Sequence, residues 1–202
     1  VVSSTKFAKK AEQAGVDAIV AEGFEAGGHN GREETTTLVL VPEVCRKVTI
    51  PVIAAGGIAT GSAMYATMAL GAEGVQMGSR FIATDEASVH SLFKQEVLKA
   101  KEGDTVLTLK ELSPVRLLKN PFYQQVEALY QQREATPENL KQLLGKGRTK
   151  LGMYDGDLKE GELEIGQVSS LIEEVKTVKE VFEEVLAEFQ QTRDLMINIT
   201  SH

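Results

Sequence analysis

Three short glycine-marked stretches hold most of the chemistry this chain could do. They are Glu22-Gly23-Phe24-Glu25-Ala26-Gly27-Gly28-His29, Ala55-Gly56-Gly57-Ile58 and Met77-Gly78-Ser79-Arg80-Phe81. Glycine lets a backbone come close to a ligand and aim its N–H groups at an anion, and a following helix N-terminus adds a favourable dipole. Gly56, Gly57 and Gly78 therefore suit a phosphate, with the Ser79 hydroxyl as a further donor. Tight turns without a ligand are the competing reading. One Gly-Gly pair would favour turns, whereas two such loops separated by a single strand–helix repeat favour phosphate. His29 is the one histidine in a stretch of this kind. Imidazole changes charge near neutrality, so His29 can give or take a proton, and Gly27 and Gly28 let a ligand lie against the adjoining backbone. A loop histidine bonded to backbone is its plainer reading. Glu22 and Glu25 bracket the same loop, where a carboxylate is more often solvated than catalytic. His90 falls in an expected surface helix and His202 in the tail, and neither supports an argument.

Other chemistries find little support. The single cysteine, Cys45, excludes an internal disulfide and a cysteine-cluster metal site, and no His/Cys cluster has ligand spacing, so no metal is expected. Ser3, Ser62 and Ser169 lack a nucleophile-elbow context. A net charge of −7 without a basic face argues against nucleic acid. No apolar run is long enough to span a membrane and no signal peptide is visible, which makes the cytoplasm the default compartment.

The elements that must position these loops alternate over residues 1–84. Ser4 caps a helix from Thr5 to Ala14, with Phe7, Ala8, Ala11 and Ala14 on one face and Gly15 ending it. Strands follow at Val16–Ala21, Pro51–Ala55 and Gly74–Met77, continuously apolar as in a parallel sheet covered by helices. Between them, Pro42 opens a short helix to Lys47, and Ser62–Leu70 forms another, closed by Gly71. In parallel α/β folds the reactive end is the C-terminal tips of the strands, where all three glycine stretches fall. Val1-Val2-Ser3-Ser4 reads as the end of a further strand, so the chain is expected to continue upstream: four strand units cannot close an eight-stranded barrel of roughly 250 residues.

Beyond Phe81 the alternation stops. Residues 85–164 read as mostly helical: a helix over Glu86–Lys101, an extended hairpin arm over Thr105–Leu109, and helices over Pro121–Arg133 and Pro137–Leu144. Residues 165–190 return to the barrel, where Gly166-Gln167-Val168-Ser169 either starts a helix at the barrel mouth or serves as a linker. A final amphipathic helix spans Lys176–Phe189. The tail, 191–202, reads as polar and disordered from Gln190 onward.

Together, Ala26 to Gly31, Thr35 to Thr37, Pro51 to Ile58, Val75 to Phe81, Pro114 to Asn120 and Ile165 to Gln167 resemble the nitronate monooxygenase / enoyl-acyl-carrier-protein reductase II family. The resemblance implies an α/β fold, the C-terminal half of a (β/α)8 TIM barrel, with strands six to eight at Val16, Pro51 and Gly74 and a mostly helical insertion after the eighth. It implies FMN, with Gly56, Gly57, Gly78 and Ser79 on the phosphate, His29 as catalytic residue beside the flavin, and Gln167 near the ring. The expected cofactor-binding set is thus Glu22, Gly23, Gly27, Gly28, Ala55, Gly56, Gly57, Gly78, Ser79 and Gln167. The stretch Gly152–Gly166 looks closer to the reductases. That branch implies NAD(P)H as co-substrate, an enoyl thioester on acyl carrier protein, a monovalent cation and a homodimer. An acidic carrier needs a basic patch, for which Arg116, Lys119, Lys146, Arg148 and Lys150 are candidates. Nitronate oxidation by oxygen is the main rival, and a non-redox sugar-phosphate barrel and a bare interaction module are the others.

Overall fold

The computed structural model describes residues 1–199, so His202 lies outside the described residues. The Ser4 hydroxyl accepts from the Phe7 amide at 3.4 Å and opens α1 (Thr5–Gln13). Gly15, at φ +84°, turns the chain toward β1 (Ile19–Glu22). The first glycine loop follows and includes β2 (Gly28–His29). Then come α2 (Thr37–Cys45), β3 (Val52–Ala55), α3 (Gly61–Ala69), β4 (Gly74–Gln76) and the four-residue α4 (Ser79–Ile82).

β1, β3 and β4 form a parallel sheet in that order, with Ile19 beside Val52 and Ile53 beside Gly74. Val2 adds a parallel bridge to Ala21 on the other edge of β1, donating its N–H to the Val20 carbonyl at 2.8 Å. Helical crossovers account for the parallel pairing, because a parallel neighbour cannot be reached by a tight turn. The core beneath this sheet is apolar on both sides: Ala8 from α1, Leu40, Val41 and Val44 from α2, and Ile19, Val52 and Ala54 from the strands.

Two details of this half differ from the sequence reading. Phe7 is 48% exposed while Ala8 is fully buried, so α1 turns its small residues inward and leaves the ring outside. α2 begins at Thr37, which puts Pro42 inside the helix. Proline removes the amide that would bond to the Leu38 carbonyl. Leu38 lies in the first turn and is 68% exposed, so water can serve that carbonyl instead.

The rest of the chain builds a second, antiparallel sheet. α5 (Ser91–Lys99) leads to β5 (Thr105–Thr108) and β6 (Val115–Leu118), followed by α6 (Pro121–Gln131), α7 (Pro137–Leu144), α8 (Arg148–Met153), a 3-10 turn (Gln167–Leu171) and α9 (Val178–Ile199). The strand order is β2-β6-β5. Gly28 pairs with Arg116 and His29 with Val115, so the first glycine loop is itself an edge of the insertion's sheet. α5 starts at Ser91 rather than Glu86, because His90 is extended and its side chain caps the helix through the Leu92 amide. α9 continues to Ile199, so residues 190–199 are helical where the sequence suggested a disordered tail. Among the described residues no helix is long and apolar enough to cross a membrane.

Candidate functional site

A cleft of about 230 Å³ opens at the C-terminal tips of β1, β3 and β4. Its wall takes Glu22, Gly27 and Gly28 from the first glycine loop, Ala55, Gly56 and Gly57 from the second, and Gly78 and Ser79 from the third. Glu164, Ile165 and Val168 close it from the segment that returns to the sheet, with Met153 beside them.

The loops meet because their glycines let backbone touch backbone. A Cβ on Gly56 would lie 2.5 Å from the Gly23 carbonyl oxygen, and Gly56 sits at φ +84°. Gly23 donates its amide to the Ala55 carbonyl at 2.9 Å, and a Cβ there would strike Thr37 Oγ1. Gly23 therefore packs behind the cleft and is not part of its wall. Gly78 is different. Its φ is −95° and a Cβ would meet nothing within 4 Å, so neither strain nor packing demands glycine there. What a side chain at 78 would occupy is space at the cleft wall.

Thr37 ties the first two loops together. Its amide donates to the Glu25 carboxylate at 3.0 Å, and its hydroxyl lies 2.9 Å from Glu25 Oε2 and 2.8 Å from the Gly56 carbonyl. Thr36, the residue at the N-cap of α2, makes no side-chain cap bond, and Glu25 takes that place. Glu25 is a brace, not a solvated loop carboxylate. A second carboxylate corrects the expected dipole of α3. Glu188 on α9 accepts from the Gly61 amide at 2.9 Å and the Ser62 hydroxyl at 2.8 Å, occupying the helix N-terminus that an anion would use. The backbone of Gly56 and Gly57 and the start of α4 are what remain for a phosphate.

Ser79 joins the third loop to the returning segment by accepting from the Gly166 amide at 2.8 Å. The hydroxyl's own hydrogen stays available to donate. Gln167 gives only its backbone amide, to the Glu25 carbonyl at 2.9 Å, and its side chain is exposed and off the wall. Glu22 is half-buried at the tip of β1, and burial pushes its carboxyl above the ordinary range. His29 is exposed on β2, next to the wall and outside its lining.

Arg116 is buried in the insertion's sheet. It donates to the Phe24 carbonyl from Nη2 at 2.9 Å and from Nε at 3.1 Å, and lies 4.6 Å over the Phe24 ring. Burial lowers its pKa. Arg148 is likewise spent inside, on the Leu143 and Leu144 carbonyls and on Glu160. Both leave the expected basic patch, which keeps Lys119, Lys146 and Lys150. The sequence reading gave no site role to Thr37, Met153, Glu164 or Ile165, although Thr35 to Thr37 and Ile165 to Gln167 stood among the motifs behind the resemblance.

The family model described as nitronate monooxygenase matches residues 1–188. The chain belongs to the nitronate monooxygenase family. Its members are FMN-dependent oxidoreductases, which removes support for a non-redox sugar-phosphate barrel. Among curated family members, a probable nitronate monooxygenase of Staphylococcus saprophyticus is 43% identical over 121 residues, covering 55% of this chain and 34% of the relative. One from Staphylococcus haemolyticus is 46% identical over 106 residues, covering 48% and 30%. FabK from Thermotoga maritima superposes with a TM-score of 0.91 at 43% identity, covering 98% of this chain and 62% of that one. A nitroalkane oxidase from Streptomyces ansochromogenes gives 0.78 at 29%, covering 96% and 58%. The match thus spans about a third of the curated relatives' length and about three-fifths of the solved chains. These family neighbours are TIM-barrel enzymes, and the parallel sheet here is part of such a barrel.

Proposed function

We propose that this protein is an FMN-dependent reductase of enoyl thioesters. The observation that carries the reading is the likeness to FabK, an enoyl-acyl-carrier-protein reductase, at 43% identity over 98% of the chain. The cleft agrees with one end of FMN. Gly57 and Gly78 present bare backbone, and Ser79 has a hydrogen to give. The cleft, of about 230 Å³, has room for the phosphate tail and the adjoining chain.

FMN would supply hydride transfer from NADH or NADPH to the β-carbon of the thioester. This chain's residues do the rest. Amides at Gly56, Gly57 and Gly78 and the Ser79 hydroxyl hold the phosphate. Glu25 fixes the distance between the first two loops through Thr37. His29 stabilises the charge that develops on the thioester oxygen or delivers the α-proton. Acyl carrier protein as the thioester's carrier, a monovalent cation and a homodimer belong to the same proposal. Lys119, Lys146 and Lys150 are the residues left to meet an acidic carrier.

A second reading has its own observation, since the curated relatives at 43% and 46% identity are named probable nitronate monooxygenases. Anaerobic mixing of the FMN-loaded protein with NADH, followed by aerated assays on nitroalkane and assays on crotonyl thioester, separates the two. The reductase reading expects rapid loss of flavin colour, turnover with crotonyl thioester and little oxygen uptake with nitroalkane. Slow bleaching by NADH together with rapid oxygen uptake on nitroalkane would establish the monooxygenase instead.

A further inference from the structure

We propose that Glu162, Thr149 and Glu164 form a one-proton relay in the cleft wall, with Glu162 as the neutral acid and Glu164 as the carboxylate facing the cleft. The geometry begins with spacing. Residues 162 and 164 lie two apart where Glu164 bridges to Leu117, and both side chains reach toward α8. They converge on one hydroxyl: Thr149 Oγ1 lies 3.2 Å from Glu162 Oε2 and 2.7 Å from Glu164 Oε1. Glu162 is only 6% exposed. Glu164 lines the cleft, and its other oxygen stands 2.8 Å from where a Cβ on Gly28 would lie, beside His29.

A hydroxyl has one hydrogen to donate. With both glutamates ionised, one of the two contacts would set lone pair against lone pair in a partly buried place. A proton on Glu162 removes the conflict, because Glu162 then donates to Thr149 and Thr149 donates to Glu164. The lengths follow that direction, since a hydrogen bond to a charged acceptor is the shorter kind. The surroundings agree as well. Burial raises the Glu162 carboxyl and the Glu164 charge raises it further, against the Thr149 bond, the His29 imidazole from β2 and the Arg148 guanidinium from α8, all of which lower it. Neutralising one of two adjacent carboxylates is the ordinary outcome of such a pair.

The use of this proton rests on the reductase reading. Each turnover there adds a hydride, ultimately from a pyridine nucleotide, to the β-carbon and a proton to the α-carbon. When Thr149 passes its hydrogen to Glu164 and takes that of Glu162, the acid moves to the cleft-facing residue without any change in total charge. Glu164 then gives the proton to the α-carbon or to His29, and the pair takes one back from solvent.

Infrared spectroscopy of the full chain at neutral pH tests the pair. A carboxylic C=O stretch that shifts in D2O and vanishes in E162Q is expected. No such band, or one that E162Q leaves in place, overturns the proposal. Gln keeps a donor on Thr149, so E162Q should melt as the wild type does. The relay is read from turnover of the FMN-loaded protein on crotonyl thioester. T149V should lower kcat on the order of a hundredfold with KM unchanged, and T149S, which restores the hydroxyl, should restore the rate. Equal kcat in T149V and wild type overturns the relay. Absence of turnover in every form, wild type included, overturns the reductase reading instead, and the band still decides the proton.

Discussion

Gly56 and Gly78 stand at neighbouring strand tips, yet different forces keep them glycine. Gly56 has φ +84° and a carbonyl 2.5 Å from its absent Cβ, so alanine there meets both strain and overlap. The expected cost of G56A is about 1–3 kcal/mol. At Gly78 the backbone is right-handed and the space is open. G78A should leave stability unchanged or raise it by up to about 1 kcal/mol, while weakening FMN retention because a methyl intrudes where the proposed function puts the phosphate. Urea unfolding and FMN titration of the two variants read the contrast, and equal FMN affinity in G78A and wild type would remove Gly78 from the site. Both glycines looked alike in the sequence, since composition shows that a side chain is absent but not what excludes it. The same gap hid the difference between Gly23, which packs behind the wall, and Gly27, which forms it. Glu22 makes stability depend on pH. Its folded pKa is raised, so the folded chain holds its proton more tightly than the unfolded chain. That contribution is fully present below the unfolded carboxylate pKa and is lost as pH rises through the folded one. E22Q is neutral throughout, so its melting temperature should fall less than that of the wild type across and just above the carboxylate range. Parallel melting curves against pH would show that Glu22 is not linked to folding.

At the scale of elements, the crossing of α3 and α9 shows what periodicity leaves out. Helix α3 was legible from its apolar run and from the Gly71 stop. Nothing in that run showed that Gly61, its first residue, would sit against the backbone of another helix. A Cβ on Gly61 would lie 2.2 Å from the Phe189 amide nitrogen and 2.2 Å from the Val185 carbonyl. The close approach lets Glu188 reach the α3 N-terminus and sets the Tyr65 and Phe189 rings edge to face, with centroids 5.6 Å apart. G61A must part the helices and should cost about 1–3 kcal/mol, as overpacking does, with loss of the Glu188 cap on top. A thermal melt of G61A beside E188Q separates the two: E188Q should lose only about 1 kcal/mol, and a G61A loss no larger than that would mean the crossing is not tight. Strand β2 was invisible for a related reason. Two residues have no period, and their partner Arg116 lies far along the chain, so only the fold could pair them.

The described residues build a parallel sheet and an antiparallel one sharing a loop, and that loop is the first wall of the cleft. The sequence made the parallel half legible because each strand is apolar and each crossover helical. The junction stayed hidden because the residues that make it, Arg116 above all, look like surface charge until their burial is seen. Arg116 sits in β6 and donates twice to the Phe24 carbonyl, so the insertion holds the loop that bears Gly27 and Gly28. Replacing it with Leu keeps an apolar filling but leaves that carbonyl without its donors, which should cost about 1–3 kcal/mol. A ligand that binds only the native state raises stability by about 2.7 kcal/mol at a hundred times its Kd. If Arg116 serves the cleft as well as the fold, the rise in melting temperature produced by a fixed FMN concentration must be smaller in R116L than in wild type. If R116L melts lower but gains as much from FMN, the arginine holds the two sheets together without shaping the wall, and the insertion owes the cleft only Met153 and Glu164.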